Sequence, residues 1–520
     1  MIIDIHAHPR PNREDSLAAI RDECRKNGVS RVLISSIGRW SEYPPPNEVR
    51  AANDEARDLA ERSNGLAKWL LYINPQNRDW RKEFKRALAG GPVGVKLLIS
   101  LKDRRGSLAH TLAVVRYAAQ RRLPILIHTF QKATNLPGEI SLEEFAALAE
   151  QCPAARLIAA HAGGHWRHSL GILRHRAPNA SVDISGSFPA KGMVEALVRD
   201  LGAERVLFGS DILGRSMASQ IAKVVFADIP ERTKLRILGE NALAIFGPAV
   251  APGGPLPAPP LRPPSRLPDF STDHFCFCGR WPFFETECAS PIELDALLAA
   301  QGIARAYAGD LGSVYRLELE QANAEFLQAA RQTRRVWPLA TLNPRAHNWA
   351  QVIQSLGPGQ MRFSKTERVP PRRGGPRGFS GAIVYPYLHD WPLDGPAHAE
   401  FFRRCSENRV PLWINCRFGD DRFRHTGLAC RAVSPEELIR FGRTAPPNSY
   451  VFQGLTAGEI CRFLDEVARK ARFRFETSRL TDHPGALDQV AGPHGLAHLV
   501  MGSEFPLRDV RSVRWAAQRQ

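Results

Sequence analysis

Five side chains able to bind a metal or move a proton, His6, His8, His128, His161 and Asp211, each lie at the end of a short, mainly apolar run. Side chains of a β-strand alternate with a period of two, so the spacing of His6 and His8 predicts both imidazoles on one side of the first strand. Two neutral imidazoles so placed suit zinc. His128 closes the run from Pro124, His161 closes the run from Arg156 and precedes Ala-Gly-Gly, and Asp211 follows Gly209-Ser210. A hydrogen-bonded core or loop residue would account for any one of them. All five at four strand ends are hard to attribute to packing, because barrels of parallel strands carry their reacting groups at the C-terminal strand ends.

The elements that must position these residues follow from periodicity. Strands are predicted at 2–8, 31–36, 68–74, 93–99, 124–128, 156–161, 181–185 and 205–210, with amphipathic helices between them such as 16–26, 48–63, 108–120 and 142–151, and a closing helix at 231–246. Strands alternating with helices fit a closed (β/α)8 TIM barrel better than an open sheet. Residues 248–268 are saturated with proline, which removes backbone donors, so they are expected to be a linker. A chain of 520 residues exceeds one core. The expectation is a barrel over 1–247, the linker over 248–268, and a second barrel over 269–520.

The second half repeats the order of the first. Trp337-Pro-Leu-Ala-Thr-Leu-Asn-Pro344 parallels Trp69-Leu-Leu-Tyr-Ile-Asn-Pro75, Arg409–Asn415 parallels Arg122–His128, and Leu499-Val-Met-Gly-Ser-Glu504 parallels Val206-Leu-Phe-Gly-Ser-Asp211. This pattern reads as tandem duplication.

The first half, residues 1 to 247, resembles the amidohydrolase superfamily, in particular the amidohydrolase-related group that includes aminocarboxymuconate-semialdehyde decarboxylase, lactonases and aromatic decarboxylases. The matching residues are Ile3-Asp-Ile-His-Ala-His8, Gly94-Val-Lys96, Ile127-His128, His161-Ala-Gly-Gly164, Asp183-Ile-Ser185, Gly209-Ser-Asp211 and Ile237-Leu-Gly-Glu-Asn241. The resemblance implies that His6, His8, His128 and Asp211 hold one divalent metal, with zinc the first choice, and that His161 stands beside an activated water. By the same comparison Asp211 would pass the water's proton to the leaving group, while His161 orients the water or polarises a substrate carbonyl. Lys96 has three readings: a carboxylated lysine bridging a second metal as in binuclear members, a substrate-binding ammonium, or a surface-facing structural lysine. Arg10 and the loop Gly38–Pro46 are candidates for a substrate carboxylate clamp and a lid. His165 and His168 read as surface or supporting residues.

Aligned on Asp273 and Gly279, the second half places Phe275 and Phe277 at the two metal-histidine positions, Asn415 at that of His128 and Glu504 at that of Asp211, with no histidine ending the sixth strand at 450–454. Phenylalanine cannot ligate a metal, so this half reads as a degenerate barrel whose mouth is filled with apolar volume. A register shifted by one would offer His274 and Cys276 instead. The last closing helix is expected to be missing, and the half to serve as a pseudo-partner packed on the first as in a dimer, with homo-oligomers also open.

Composition limits the alternatives. With 43% hydrophobic and 24% charged residues the chain reads as globular, no run approaches a membrane span, and the apolar strand at the first residue leaves no room for a signal peptide. The nine scattered cysteines suggest reduced thiols in the cytoplasm, and the Cys276-x-Cys278 pair lacks a partner pair at zinc-finger spacing. The net charge of +17 is spread over both halves, and the one dense cluster, Arg368–Arg377, lacks interleaved aromatics, so nucleic acid is not the expected partner. The expected activity is hydrolysis of a C–O or C–N bond in a small anionic molecule by a metal-activated water. The alternatives are metal-dependent non-oxidative decarboxylation of a carboxylated aromatic or muconate-type substrate, and a non-catalytic binding or scaffold role.

Overall fold

A computed structural model describes residues 1–10, 15–39, 41, 43–98, 104–130, 140–186, 189–253, 270–356, 376–420, 422, 425, 427–428, 430–468 and 470–519. Strands β1 (Ile3–Ala7), β2 (Arg31–Ile34), β3 (Ala67–Tyr72), β4 (Gly94–Leu97), β5 (Ile125–Ile127), β6 (Leu157–Ala159), β7 (Ser181–Asp183) and β8 (Val206–Leu207) pair in parallel in sequence order. Their apolar residues sort by alternation. Val32, Ile34, Trp69, Leu71, Val95 and Leu97 pack among the helices, whereas Leu33, Leu70, Leu126, Ile158 and Leu207 form a separate cluster with Ala242 and Phe246 of the final helical segment. The sheet closes where Ile5 N donates to Phe208 O at 3.2 Å and Asp211 N to His6 O at 2.8 Å. Helix starts are set locally; Leu142–Gln151 begins with a capping box between Ser141 and Glu144.

The second half builds the same sheet from β9 (Thr272–Cys278), β10 (Arg305–Asp310), β11 (Val336–Leu342), β12 (Gly381–Val384), β13 (Leu412–Asn415), β14 (Tyr450–Gln453), β15 (Phe473–Glu476) and β16 (Leu499–Val500). Two polar clasps recur in both copies. Asp4 accepts from His6 N, Ser210 N and Ser210 Oγ, and Asp273 accepts from Phe275 N, Ser503 N and Ser503 Oγ. Asn53 brackets Tyr72 with bonds to its N and O at 2.8 and 3.0 Å, and Asn323 brackets Thr341 at the same two distances. The fold is therefore two tandem (β/α)8 barrels. The chain divides into two units, Met1–Pro263 and Pro264–Gln518.

Residues 254–268 of the expected linker, residues 368–375 of the arginine cluster, and Trp40 and Glu42 of the expected lid lie outside the described residues. Pro248–Val250 form a short helical turn whose Val250 is buried against the first barrel. Val510–Ala517 follows β16 as Met217–Val225 follows β8, and among the described residues no counterpart of the closing segment Glu231–Phe246 comes after it, as expected. The shifted register is overturned, because Phe275, not His274 or Cys276, occupies the backbone position of His6 in the aspartate clasp. Cys276 packs on the helix side instead. Among the described residues no helix is long and apolar enough to cross a membrane.

The asparagine clasp predicts its own test. Asn323→Ala strands a buried N–H and C=O of Thr341, and is expected to lower stability to urea by about 1–3 kcal/mol, followed by tryptophan fluorescence.

Candidate metal centre

The clasp on Asp4 fixes the backbone of β1 against the segment after β8, and the side chains that follow are buried: His6 is 1% and His8 5% exposed. Each imidazole has its Nδ1 committed. His6 Nδ1 lies 2.8 Å from Asp183 Oδ2, and His8 Nδ1 lies 2.6 Å from the carbonyl oxygen of Ser35. A carboxylate and a carbonyl only accept, so both Nδ1 atoms carry the proton. The two Nε2 lone pairs are left facing each other at 3.1 Å, with Asp211 Oδ1 3.9 Å from His8 Nε2. Tetrahedral zinc with bonds of about 2.0–2.1 Å separates its ligand atoms by about 3.3 Å, so these residues fit a divalent cation. Burial, reinforced by the Lys96 cation, pushes the His8 imidazole down to about 3 and His6 well below its ordinary value, which keeps both neutral.

Lys96 from β4 is buried, with Nζ 2.7 Å from His6 Nε2. That rules out the surface-facing reading. Burial pushes its ammonium down to about 8, against the opposing pull of Asp183 and Asp211. His161 sits in a short turn after β6 at φ 58°, a left-handed conformation that aims its ring back over the strand ends. Its N donates to Asp183 Oδ1 at 2.9 Å, and its Nε2 lies 3.1 Å from His128 Nδ1. Among the described residues, two groups have ligand atoms within 4.8 Å of one another: His6, His8 and Asp211, and His6, His161 and Asp183. His128 belongs to neither group and meets the site through His161.

Asp183 and Ser185 were given no role from sequence, yet they tie the site together. Asp183 serves His6, His161 N, Ser185 N and Ser185 Oγ at once. A signal existed: Asp183 and Ser185 are two apart at a strand end, as His6 and His8 are, so both face inward. Arg10 is less free than a substrate clamp requires, since its Nη2 donates to Leu213 O at 2.8 Å. In the loop after β2, Arg39 N and Ser41 Oγ both donate to Glu48. His165 caps the helix Trp166–His175, accepting from His168 N, and the exposed His168 Nε2 lies 3.6 Å from Glu143 Oε1.

The family model described as Amidohydrolase matches residues 3–247. The match spans the first barrel. No protein of curated function matches the chain. Solved structures similar to it include 5-carboxyvanillate decarboxylase from Sphingomonas paucimobilis, at 16% identity over 47% of this chain and 98% of that one, TM-score 0.37. A dihydroxybenzoic acid decarboxylase from Polaromonas, with bound manganese and the inhibitor 2-nitroresorcinol, is 15% identical over 47% and 96% of the two chains, TM-score 0.39. A 2,6-dihydroxybenzoate decarboxylase from Rhizobium is 15% identical over 47% and 99%, TM-score 0.38.

The second barrel replaces each histidine of the site, Lys96 and Asp211. Phe275 and Phe277 replace His6 and His8 and pack edge to face at 5.2 Å; Ile383 stands at the register of Lys96 and Asn415 at that of His128. Gly454 N donates to Glu476 Oε1 as His161 N does to Asp183, so Gly454 takes the place of His161. Glu504 repeats the left-handed backbone of Asp211, at φ 57° against 60°. Its carboxylate is bound by the fully buried Arg508, whose Nε donates at 2.7 Å and whose Nη1 reaches both oxygens of Asp482. A guanidinium therefore supplies the positive charge here. Removing it leaves two buried carboxylates unpaired, so Arg508→Ala is expected to destabilise the second barrel by about 3–5 kcal/mol in urea unfolding, with the metal content of the protein unchanged.

Proposed function

We propose that the first barrel is a metal-dependent hydrolase that opens a C–O or C–N bond of a small anionic organic molecule. The observation that carries this reading is the pair of imidazole lone pairs on His6 and His8, opposed at 3.1 Å with Asp211 beside them at the strand mouths. In this reading His6, His8, His128 and Asp211 hold one divalent cation, for which zinc suits the nitrogen-rich donor set. The cation supplies Lewis acidity and lowers the pKa of water toward neutrality. Asp211 accepts the proton released from the water and returns it to the leaving group, and His161 holds the reacting groups in register. Lys96 is a buried cation within the site, and its charge favours a substrate that carries a carboxylate or comparable anion. A carboxylated Lys96 bridging a second cation is the alternative role for that side chain, and it predicts two metals per chain.

Two assays test the proposal. Metal analysis of the purified protein is expected to give one divalent ion per chain, lost in the double variant His6→Ala with His8→Ala; an unchanged metal content in that variant would remove the basis of the reading. With a panel of lactones, amides and carboxylated aromatics, hydrolysis products are expected. Release of carbon dioxide instead would assign the same site to non-oxidative decarboxylation, and no turnover in the metal-loaded protein would favour a binding or scaffold role.

A further inference from the structure

Ser185 has a single hydroxyl proton and three neighbours within reach: Asp183 Oδ1 at 2.6 Å, His6 Nδ1 at 2.9 Å and His161 Nδ1 at 3.0 Å. An ionised carboxylate only accepts, so the hydroxyl proton goes to Asp183. The hydroxyl oxygen then turns lone pairs to both imidazoles, and each Nδ1 must bring a proton of its own. For His6 that requirement is already set by Asp183 Oδ2 at 2.8 Å. For His161 it is set by Ser185.

We infer that Ser185 is a positioning residue that holds His161 in the Nδ1–H tautomer, leaving its Nε2 as a hydrogen-bond acceptor. The inference rests on the metal-dependent reading of the site only for its catalytic meaning. It extends one residue further: His128 Nδ1, 3.1 Å from His161 Nε2, donates to that lone pair. Four imidazoles thereby hold their protons on Nδ1, by way of Ser35, Asp183 and Ser185.

Two further observations carry the same conclusion. Gly186 follows at φ +81°, and a Cβ there would collide with the His161 ring, so the turn that delivers Ser185 is also shaped to the imidazole. In the second barrel Ser478 takes the place of Ser185, with its N donating to Glu476 Oε2 at 2.6 Å as Ser185 N does to Asp183 Oδ1. Gly454 and Phe275 have replaced the two imidazoles, and the buried Ser478 hydroxyl is left with the Glu476 carboxylate. The turn and its serine thus persist where both imidazoles are gone, and the contact of the hydroxyl with a histidine pair belongs to the first barrel.

Nitrogen NMR of the full-length protein with labelled histidine, zinc-free and zinc-loaded, reads the tautomer directly, the His161 signals being assigned by their loss in His161→Gln. The expected spectrum has a protonated Nδ1 and an unprotonated Nε2 in both states. Ser185→Ala is expected to move His161 toward the Nε2–H form, Ser185→Thr to restore it, and Ser478→Ala to leave it unchanged. An unprotonated Nδ1 in the wild-type protein, or an unaltered tautomer in Ser185→Ala, would overturn the inference. Because the zinc-free spectrum stands alone, a protein that fails to bind zinc would defeat the hydrolase reading and leave the tautomer assignment to be decided by its own signals.

Discussion

Two nitrogen lone pairs held 3.1 Å apart in a buried site repel unless something positive lies between or beside them. That constraint organises the first barrel. The opposite edges of both rings are committed to acceptors, Asp183 and the Ser35 carbonyl, so neither imidazole can relieve the repulsion by moving its proton to Nε2 without breaking a buried hydrogen bond. Lys96 Nζ meets part of the demand by approaching His6 Nε2 at 2.7 Å. A divalent cation would meet all of it, and the surrounding shell of Asp183, Ser185 and Ser35 is arranged to present lone pairs to such an ion.

The second barrel shows what the same backbone does when the constraint is removed. The aspartate clasp, the asparagine clasp and the left-handed residue after β16 are all retained, so these features belong to the barrel and not to the chemistry. With phenylalanine in place of the paired imidazoles there is no lone-pair demand, and Phe275 and Phe277 join Tyr307, Ile383, Tyr385 and Trp413 in an apolar interior. The carboxylate at the eighth strand remains as Glu504, and its charge is balanced inside the protein by Arg508. One barrel is built around a demand for an external cation. The other carries its own.

Much of this was legible in the sequence, for a physical reason. Strand alternation and strand-end polarity are local, so His6, His8, His128, His161 and Asp211 could be picked out and the two half-chains aligned residue by residue. Phe275 and Phe277 fell in register because Asp273 and Gly279 anchor the ends of a strand. What escaped was whatever depends on the partner across the barrel. The spacing of Asp183 and Ser185 tells only that both face inward; that they serve two imidazoles depends on residues across the barrel. Arg508 reads as one more arginine in a basic chain until Glu504 and Asp482 are seen closing on it. Arg10 looked free for a substrate because the Leu213 carbonyl that engages it is remote in sequence.

The central claim is that the cation site belongs to one barrel of two. Anomalous diffraction from crystals of the intact chain equilibrated with zinc tests it most directly. The account predicts one strong peak within about 2.0–2.2 Å of His6 Nε2 and His8 Nε2, and none beside Glu504 and Glu476. A peak in the second barrel, or none at the two histidines, would contradict it.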